Sequence, residues 1–325
     1  MKLFAYACRP FDEEPFFLQH ARELGVELGY TSQPITPETL ELCKGYEYLS
    51  IITNPVTAPM IDKLKDMGIK MISTRTIGYD HIDYAYAKTV GMGVSNVGYT
   101  PECVADYTIM LMLMSLRKMK RIMQRAVIND FTLQGIQGKL LCERTGGVIG
   151  TGRIGRAVIR DLQGFGCKVY AYDPYPNPNV EAEYLPLDEL LKKCDLITLH
   201  TPLTDENFHL IDKAAIEKMP DGVVLINTAR GGLIDSDAMI DALESGKIAA
   251  CGLDVVEDEF QMYYYDRRAD VLGNRRLSIL RDMPHVVVTP HMAFYTDRSV
   301  SDMVQNSMLS CLCDSRGEEN LWKIV

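Results

Sequence analysis

Three side chains in the second half of the chain belong to types that can together assist the reduction of a carbonyl, and each follows a short apolar run. Arg230 stands in Asn227-Thr228-Ala229-Arg230-Gly231-Gly232, just beyond Val223–Ile226. Flanked by small residues, a guanidinium there can grip a carboxylate through two parallel hydrogen bonds. His291 follows Val286-Val287-Val288-Thr289-Pro290. An imidazole exchanges one proton near neutral pH, as the conversion of a carbonyl to an alcohol requires. Lone histidines are more often structural, so the acidic run Glu257-Asp258-Glu259 matters. A carboxylate beside the ring would favour its protonated form and fix its orientation. The run suits a solvated loop equally well, and the sequence alone does not choose which of the three acids pairs.

A fourth feature points to a cofactor. Gly150-Thr151-Gly152-Arg153-Ile154-Gly155 has the spacing G-x-G-x-x-G, follows the apolar Val148-Ile149, and opens a helical pattern. Asp173 closes the next apolar run, 18 residues after Gly155. Gly150 permits a tight turn, Gly152 lets the backbone approach a pyrophosphate, and Gly155 allows close helix–strand packing. The helix start at Arg153 offers free N–H groups to phosphate oxygens. Asp173 can accept from an adenosine ribose and would repel a 2′-phosphate, which favours NAD over NADP. A turn used for packing alone would not need the strand, the helix and the terminal acid together.

The elements that must carry these residues alternate between strand and helix. Strands are expected at Leu3–Ala7, Tyr48–Ile52 and Lys70–Thr74, with helices at Glu13–Leu24 and Ala58–Met67. A second series runs through strands near Val148–Ile149, Lys168–Tyr172, Leu196–Leu199, Val223–Asn227, Ala249–Leu253 and Val286–Thr289. Its helices are Arg153–Phe165, Leu187–Lys193, Lys213–Lys218 and Ser236–Ser245. Such βαβ rhythms predict parallel, doubly wound, Rossmann-like sheets, here two. Between the series lies one Met-rich helix, Val104 to Met123, with Pro101 in its first turn and Thr100 as N-cap. Being apolar almost all round from Ile109 to Leu116, it is expected to be buried on every side, either inside one domain or, as the favoured reading, at a homodimer interface. The last helix, Asp297 to about Cys313, is expected to return to the first domain. The expected domains are therefore 1–99 with 296–325, and 100–295.

Composition sets the outer limits. A chain of 325 residues holds two domains, and 47% hydrophobic with 24% charged residues reads as soluble and globular. A net charge of −10 argues against nucleic acid or an anionic membrane as partner. No apolar run approaches the roughly 20 residues that span a bilayer, and the start, Met1 to Cys8, reads as a strand rather than a signal peptide. Nine scattered cysteines suit reduced thiols in the cytoplasm. Cys311 and Cys313 make a poor zinc site without further ligands, so no metal is expected.

Taken together, Gly150–Gly155 with Asp173, Asn227–Gly232, Leu253–Glu259 and Thr289–Tyr295 resemble the D-isomer-specific 2-hydroxyacid dehydrogenase family over nearly the whole chain. The stretches Ser73–Gly78, Ser95–Pro101 and Val104–Thr108 look closest to its D-lactate dehydrogenase branch, including the vancomycin-resistance type. The resemblance implies Arg230, Glu259 and His291 as the catalytic set, and so selects Glu259 from the acidic run. It places the nicotinamide near Thr228, Ala229 and Asp254, with further cofactor contacts at Thr201, Pro202 and Asn207. It gives the substrate carboxylate to the Ile77-Gly78 backbone and Arg230, and the substrate side chain to Tyr99 and Phe294. It also implies a cleft between two doubly wound domains, a dimer, and NAD(H)-dependent reduction of a small 2-keto acid, pyruvate first, to the D-2-hydroxy acid. A bulkier 2-keto acid such as 2-ketoisocaproate or phenylpyruvate is the alternative substrate. An NAD(H)-sensing corepressor-like binding protein is the alternative class. The segment Gln261–Leu280, with Tyr263-Tyr264-Tyr265 and four arginines, reads as an irregular insertion packed by its tyrosines or shaping access to the cleft.

Overall fold

Apolar runs of four or five residues become strands here because helices cover both faces of a parallel sheet. In this computed structural model, which describes residues 1–259, 262–264 and 266–325, Tyr48–Ile51, Met71–Thr74, Leu196–Leu199 and Val223–Asn227 are buried throughout. The chain forms two units, Met1–Thr100 with Tyr295–Val325, and Pro101–Phe294.

The first unit holds strands β1 (Lys2–Ala5), β2 (Glu27–Tyr30), β3 (Tyr48–Ile51), β4 (Met71–Thr74) and β5 (Gly93–Ser95), all parallel in the order β2-β1-β3-β4-β5. Helices α1 (Glu14–Leu24), α2 (Ala58–Asp66) and α3 (Tyr84–Val90) connect them. Gly25 and Gly91 end α1 and α3 in the left-handed conformation that glycine adopts without strain. Strands β2 and β5 were not marked in the sequence. Both are edge strands, and β2 buries none of its residues fully, so neither shows a continuous apolar run.

The second unit opens with α4 (Glu102–Leu116) and α5 (Met119–Val127). The single helix expected over Val104–Met123 is thus two. Lys118, left-handed at φ 53°, breaks it. The bend lets Lys120 Nζ reach the carbonyls of Arg281, Met283 and Val286 at 2.7, 2.6 and 2.9 Å. Thr100 does not cap α4. The cap position is Pro101, and Thr100 N instead donates to Asp302 of the first unit. Nor is α4 buried on every side. Leu111, Met112 and Leu116 are, but Met110 is 37% exposed and, with Leu113 and Met114, lines a groove of about 950 Å³ against Arg160 and Phe165.

The sheet follows: β6 (Thr145–Ile149), α6 (Arg153–Gly164), β7 (Lys168–Tyr172), β8 (Glu183–Tyr184), α7 (Leu187–Lys193), β9 (Leu196–Leu199), α8 (Lys213–Lys218), β10 (Val223–Asn227), α9 (Ser236–Ser245), β11 (Ile248–Leu253), α10 (Arg275–Asp282) and β12 (Val286–Val288). These seven strands run parallel in the order β12-β11-β10-β9-β6-β7-β8, which reverses direction between β6 and β9. The insertion is only partly irregular. Asn274 caps α10 by accepting from Leu277 N, and Arg276 pairs with Asp237 at 2.6 Å. Gln261 and Tyr265 of that insertion lie outside the described residues.

The chain then returns to the first unit as α11 (Asp297–Arg316), capped by Thr296 and packed on α1, β3 and β4. Ser307 meets Ser50, and Ser310 meets Ser95, both at 2.7 Å. Among the described residues, no helix is long and apolar enough to cross a membrane.

Candidate active site

Register decides which loops meet. Asn227 on β10 stands beside Leu253 on β11, and Leu253 beside Val288 on β12. Three loops therefore leave one sheet edge together: one with Arg230, one running from Asp254 to Glu259, and one with His291. In an open α/β sheet this carboxyl edge is where ligands bind.

Asp254, fully buried, ties these loops to one another. Its N–H donates to Asn227 O at 2.9 Å and its carbonyl accepts from His291 N at 2.8 Å. Its carboxylate accepts from Thr289 Oγ1 at 2.6 Å, Met292 N at 2.9 Å and Ala293 N at 2.8 Å. Burial pushes this carboxyl above the usual range, against the opposing pull of those hydrogen bonds and of His291. The bonds hold His291 at φ 53°, a region that side-chain-bearing residues rarely occupy and that persists only when the surroundings over-determine it. The third loop is held as closely. A Cβ on Gly231 would stand 2.1 Å from the Val256 carbonyl group, so only glycine lets the Arg230 loop abut the acidic one. Asn227, buried, takes Ala229 N at 3.0 Å and gives to Arg230 O at 2.8 Å.

The three acids separate here. Glu259 Oε1 meets His291 Nδ1 at 2.6 Å, while Oε2 accepts from Val256 N at 2.9 Å. Glu257 turns to His209 Nε2 at 2.8 Å and Ser236 N at 2.9 Å, and Asp258 lies 3.6 Å from Arg276. Burial raises the Glu257 carboxyl, but the bonds from His209 and Ser236 outweigh it and hold the group below the usual range. The His291 and Glu259 side chains keep 26% and 13% of their exposure, so the pair is shielded yet reachable. With Nδ1 donating to Glu259, Nε2 is left to face a ligand. Two tyrosines of the insertion also reach this histidine, which sequence reasoning missed. Tyr263 stands edge-on to the imidazole at 6.5 Å, and the Tyr264 hydroxyl donates to His291 O at 2.8 Å. Phe294 packs edge-on against Tyr264 at 6.2 Å.

The glycine turn sits at the point where the strand order reverses. Gly150, at φ 95°, leaves no room for a Cβ, which would stand 2.5 Å from His200 O. A Cβ on Gly155 would meet Gly150 O at 1.9 Å, whereas around Gly152 the space is open. That opening at the first turn of α6, beside Arg153 and Ile154, fits the close approach of a pyrophosphate. Asp173 Oδ2 already accepts from Thr151 N at 2.7 Å and Thr151 Oγ1 at 2.9 Å, so the acid also fixes the turn. A carboxylate has about four acceptor sites and keeps capacity for a ribose hydroxyl. His200 was not singled out in the sequence. Burial lowers its imidazole to about 3, which leaves a neutral ring against the turn. Beyond it, Asn207 Nδ2 donates to Pro202 O and its Oδ1 accepts from Thr204 N, both at 2.7 Å, which orders the loop after Thr201. Thr228 Oγ1 lies 2.9 Å from Thr108 Oγ1 on α4.

Ile77, Gly78 and Tyr99 belong to the first unit. There Gly78 O accepts from Thr76 Oγ1 at 2.6 Å and Ile77 O from Asn96 Nδ2 at 2.7 Å, which turns both carbonyls into the loop.

Comparison with known proteins gives the family. Residues 109–293 match the profile of the D-isomer specific 2-hydroxyacid dehydrogenase NAD binding domain. The chain is 42% identical to an aromatic 2-oxoacid reductase of Clostridium sporogenes over 95% of each protein. It is 37% identical to a D-lactate dehydrogenase of Escherichia coli over 98% of each. The crystal structure of a D-lactate dehydrogenase from Treponema pallidum superposes with a TM-score of 0.90 at 34% identity, over 100% of both chains. The chain belongs to the D-isomer-specific 2-hydroxyacid dehydrogenase family and is an NAD-dependent oxidoreductase.

Proposed function

We propose that this dehydrogenase interconverts a small 2-keto acid, pyruvate foremost, and its D-2-hydroxy acid, with Arg230, Glu259 and His291 as its working residues. The 2.6 Å contact between His291 Nδ1 and Glu259 carries the reading, because it commits one ring nitrogen and leaves the other for the substrate. Glu259 holds the ring in one orientation and compensates its positive charge. Nε2 of the protonated ring gives its proton to the substrate oxygen in reduction and recovers it in oxidation. Arg230, set among small residues, receives the carboxylate with a two-pronged bond and stabilises the negative charge that grows on the carbonyl oxygen. Gly150, Gly152, Arg153, Ile154, Gly155 and Asp173 hold the dinucleotide, with Thr201, Pro202, Asn207, Thr228, Ala229 and Asp254 as its further contacts. The bound nicotinamide supplies or takes the hydride. The Ile77-Gly78 backbone and Tyr99 from the first unit and Phe294 from the second are assigned to the substrate on the family resemblance.

Absorbance of NADH tests this with pyruvate, 2-ketobutyrate, 2-ketoisocaproate, phenylpyruvate and hydroxypyruvate. Rapid oxidation with pyruvate giving D-lactate is the expected result. A preference for phenylpyruvate would favour a second reading, aromatic 2-keto acid reduction, which the 42% identity to the clostridial reductase supports. His291→Gln should lose about 10²- to 10⁴-fold in kcat while still binding NADH; near wild-type turnover would remove His291 from the chemistry.

The chain is further proposed to act as a homodimer. Met123, Val127, Ile128, Phe131 and Leu133 are 57–84% exposed on and after α5, an apolar stretch that a second copy would cover. Light scattering that returned the 36.6 kDa mass of one chain would sink this.

A further inference from the structure

The N–H groups of residues 291, 292 and 293 all turn to Asp254, through its carbonyl or its carboxylate. The carbonyl of His291 points elsewhere, and the hydroxyl of Tyr264 donates to it at 2.8 Å. His291 is left-handed at φ 53°, a conformation that persists only when its surroundings over-determine it, so each bond to its peptide helps set where the ring starts. Tyr264 is itself held. Its own backbone is left-handed at φ 69°, its ring lies 6.4 Å from the imidazole, and it meets Phe294 edge-on. The preceding Tyr263 packs on the core of the second unit.

We propose that Tyr264 is a positioning residue of the reaction: its hydroxyl holds the His291 peptide so that the imidazole stays against Glu259. The inference rests on the assignment of His291 as proton donor. Among the described residues, the groups facing that imidazole are Glu259 at Nδ1, the Asp254 carboxylate, and the rings of Tyr263 and Tyr264. A ring that drifts from Glu259 loses the carboxylate's support for its charged form and gives up its proton at lower pH. Because Tyr264 is 43% exposed, water competes for the carbonyl and the effect is moderate.

Tyr264→Phe deletes the hydroxyl and keeps the ring contacts to His291 and Phe294, so the fold survives. The expected result is a loss of about three- to tenfold in kcat for pyruvate reduction. The KM for NADH should be unchanged, and the alkaline limb of the kcat profile should move to lower pH. Tyr264→Leu, which loses ring and hydroxyl, should show the same displaced limb. Wild-type kcat and pH profile in Tyr264→Phe would overturn the proposal, even if Tyr264→Leu is impaired, since packing alone would then explain that loss. His291→Gln run alongside separates the two levels. If that variant turns over normally, the assignment of His291 fails. If it is dead and Tyr264→Phe behaves as wild type, only the positioning role fails.

Discussion

At the carboxyl edge of the first unit's sheet Arg75 faces Glu13, and at the same edge of the second unit's sheet His291 faces Glu259. Both are base–acid partners placed by parallel strands, yet they differ in how much of each group is committed. Arg75 Nε and Nη2 reach Glu13 at 2.9 and 3.3 Å, Nη1 reaches Ser50 Oγ at 3.1 Å, and Nη2 reaches Tyr6 O at 3.0 Å. The guanidinium also lies over the Phe17 ring at 5.1 Å, and neither charged side chain of the pair is exposed. That network continues through Glu13 to Arg9, whose N–H reaches Oε2 at 3.1 Å, and fixes the backbone just before Thr76–Gly78. Among the described residues, the histidine is bonded through one ring nitrogen, and it keeps a quarter of its imidazole exposed. Complete burial turns such a pair into scaffold, and incomplete burial leaves it within reach of a ligand.

Exchanging the acid in each pair sharpens that contrast. Glu13→Gln leaves the Arg75 charge buried without its counter-ion, which should lower stability by about 3–5 kcal/mol in urea unfolding. Glu259→Gln removes the partner of a half-open ring. Its stability should fall by no more than about 1 kcal/mol, while kcat drops roughly 100-fold. A Glu13→Gln protein as stable as wild type, or a Glu259→Gln protein that unfolds early and keeps its kcat, would break the distinction.

Legibility in the sequence followed how local each feature is. The glycine turn and Asp173 were readable because strand, turn and helix are contiguous, and β7, β9 and β10 matched their apolar runs end to end. The break at Lys118 was not, since what favours it is the reach of Lys120 to carbonyls more than 160 residues away. The acidic run left Glu257, Asp258 and Glu259 equivalent because their partners His209, Arg276 and His291 come from three other segments. Asp254 appeared only as a cofactor contact, on the family resemblance. Its hold on three successive N–H groups depends on the register between β11 and β12, which no spacing along the chain reveals.

The smallest effect concerns one ring in the second unit. His200 lies half-buried beside the glycine turn, and desolvation lowers it from 6.5 to about 3, so the ring is neutral there. Below pH 6.5 the unfolded chain takes up a proton at this histidine that the folded chain refuses. The unfolded state then binds more protons, so stability falls as pH drops through that window, by at most about 1.4 kcal/mol per pH unit for one proton. Glu257, held below its ordinary 4.5, adds its own loss only at more acid pH, and His285, which burial also lowers, adds a slope of the same sign that wild type and variant share. Urea midpoints of His200→Asn across that window should show a flatter slope than wild type, whatever the absolute stability of the variant. An unchanged slope would mean that His200 takes up its proton in the folded state as readily as in the unfolded one. The neutral ring against the glycine turn would then have to be given up.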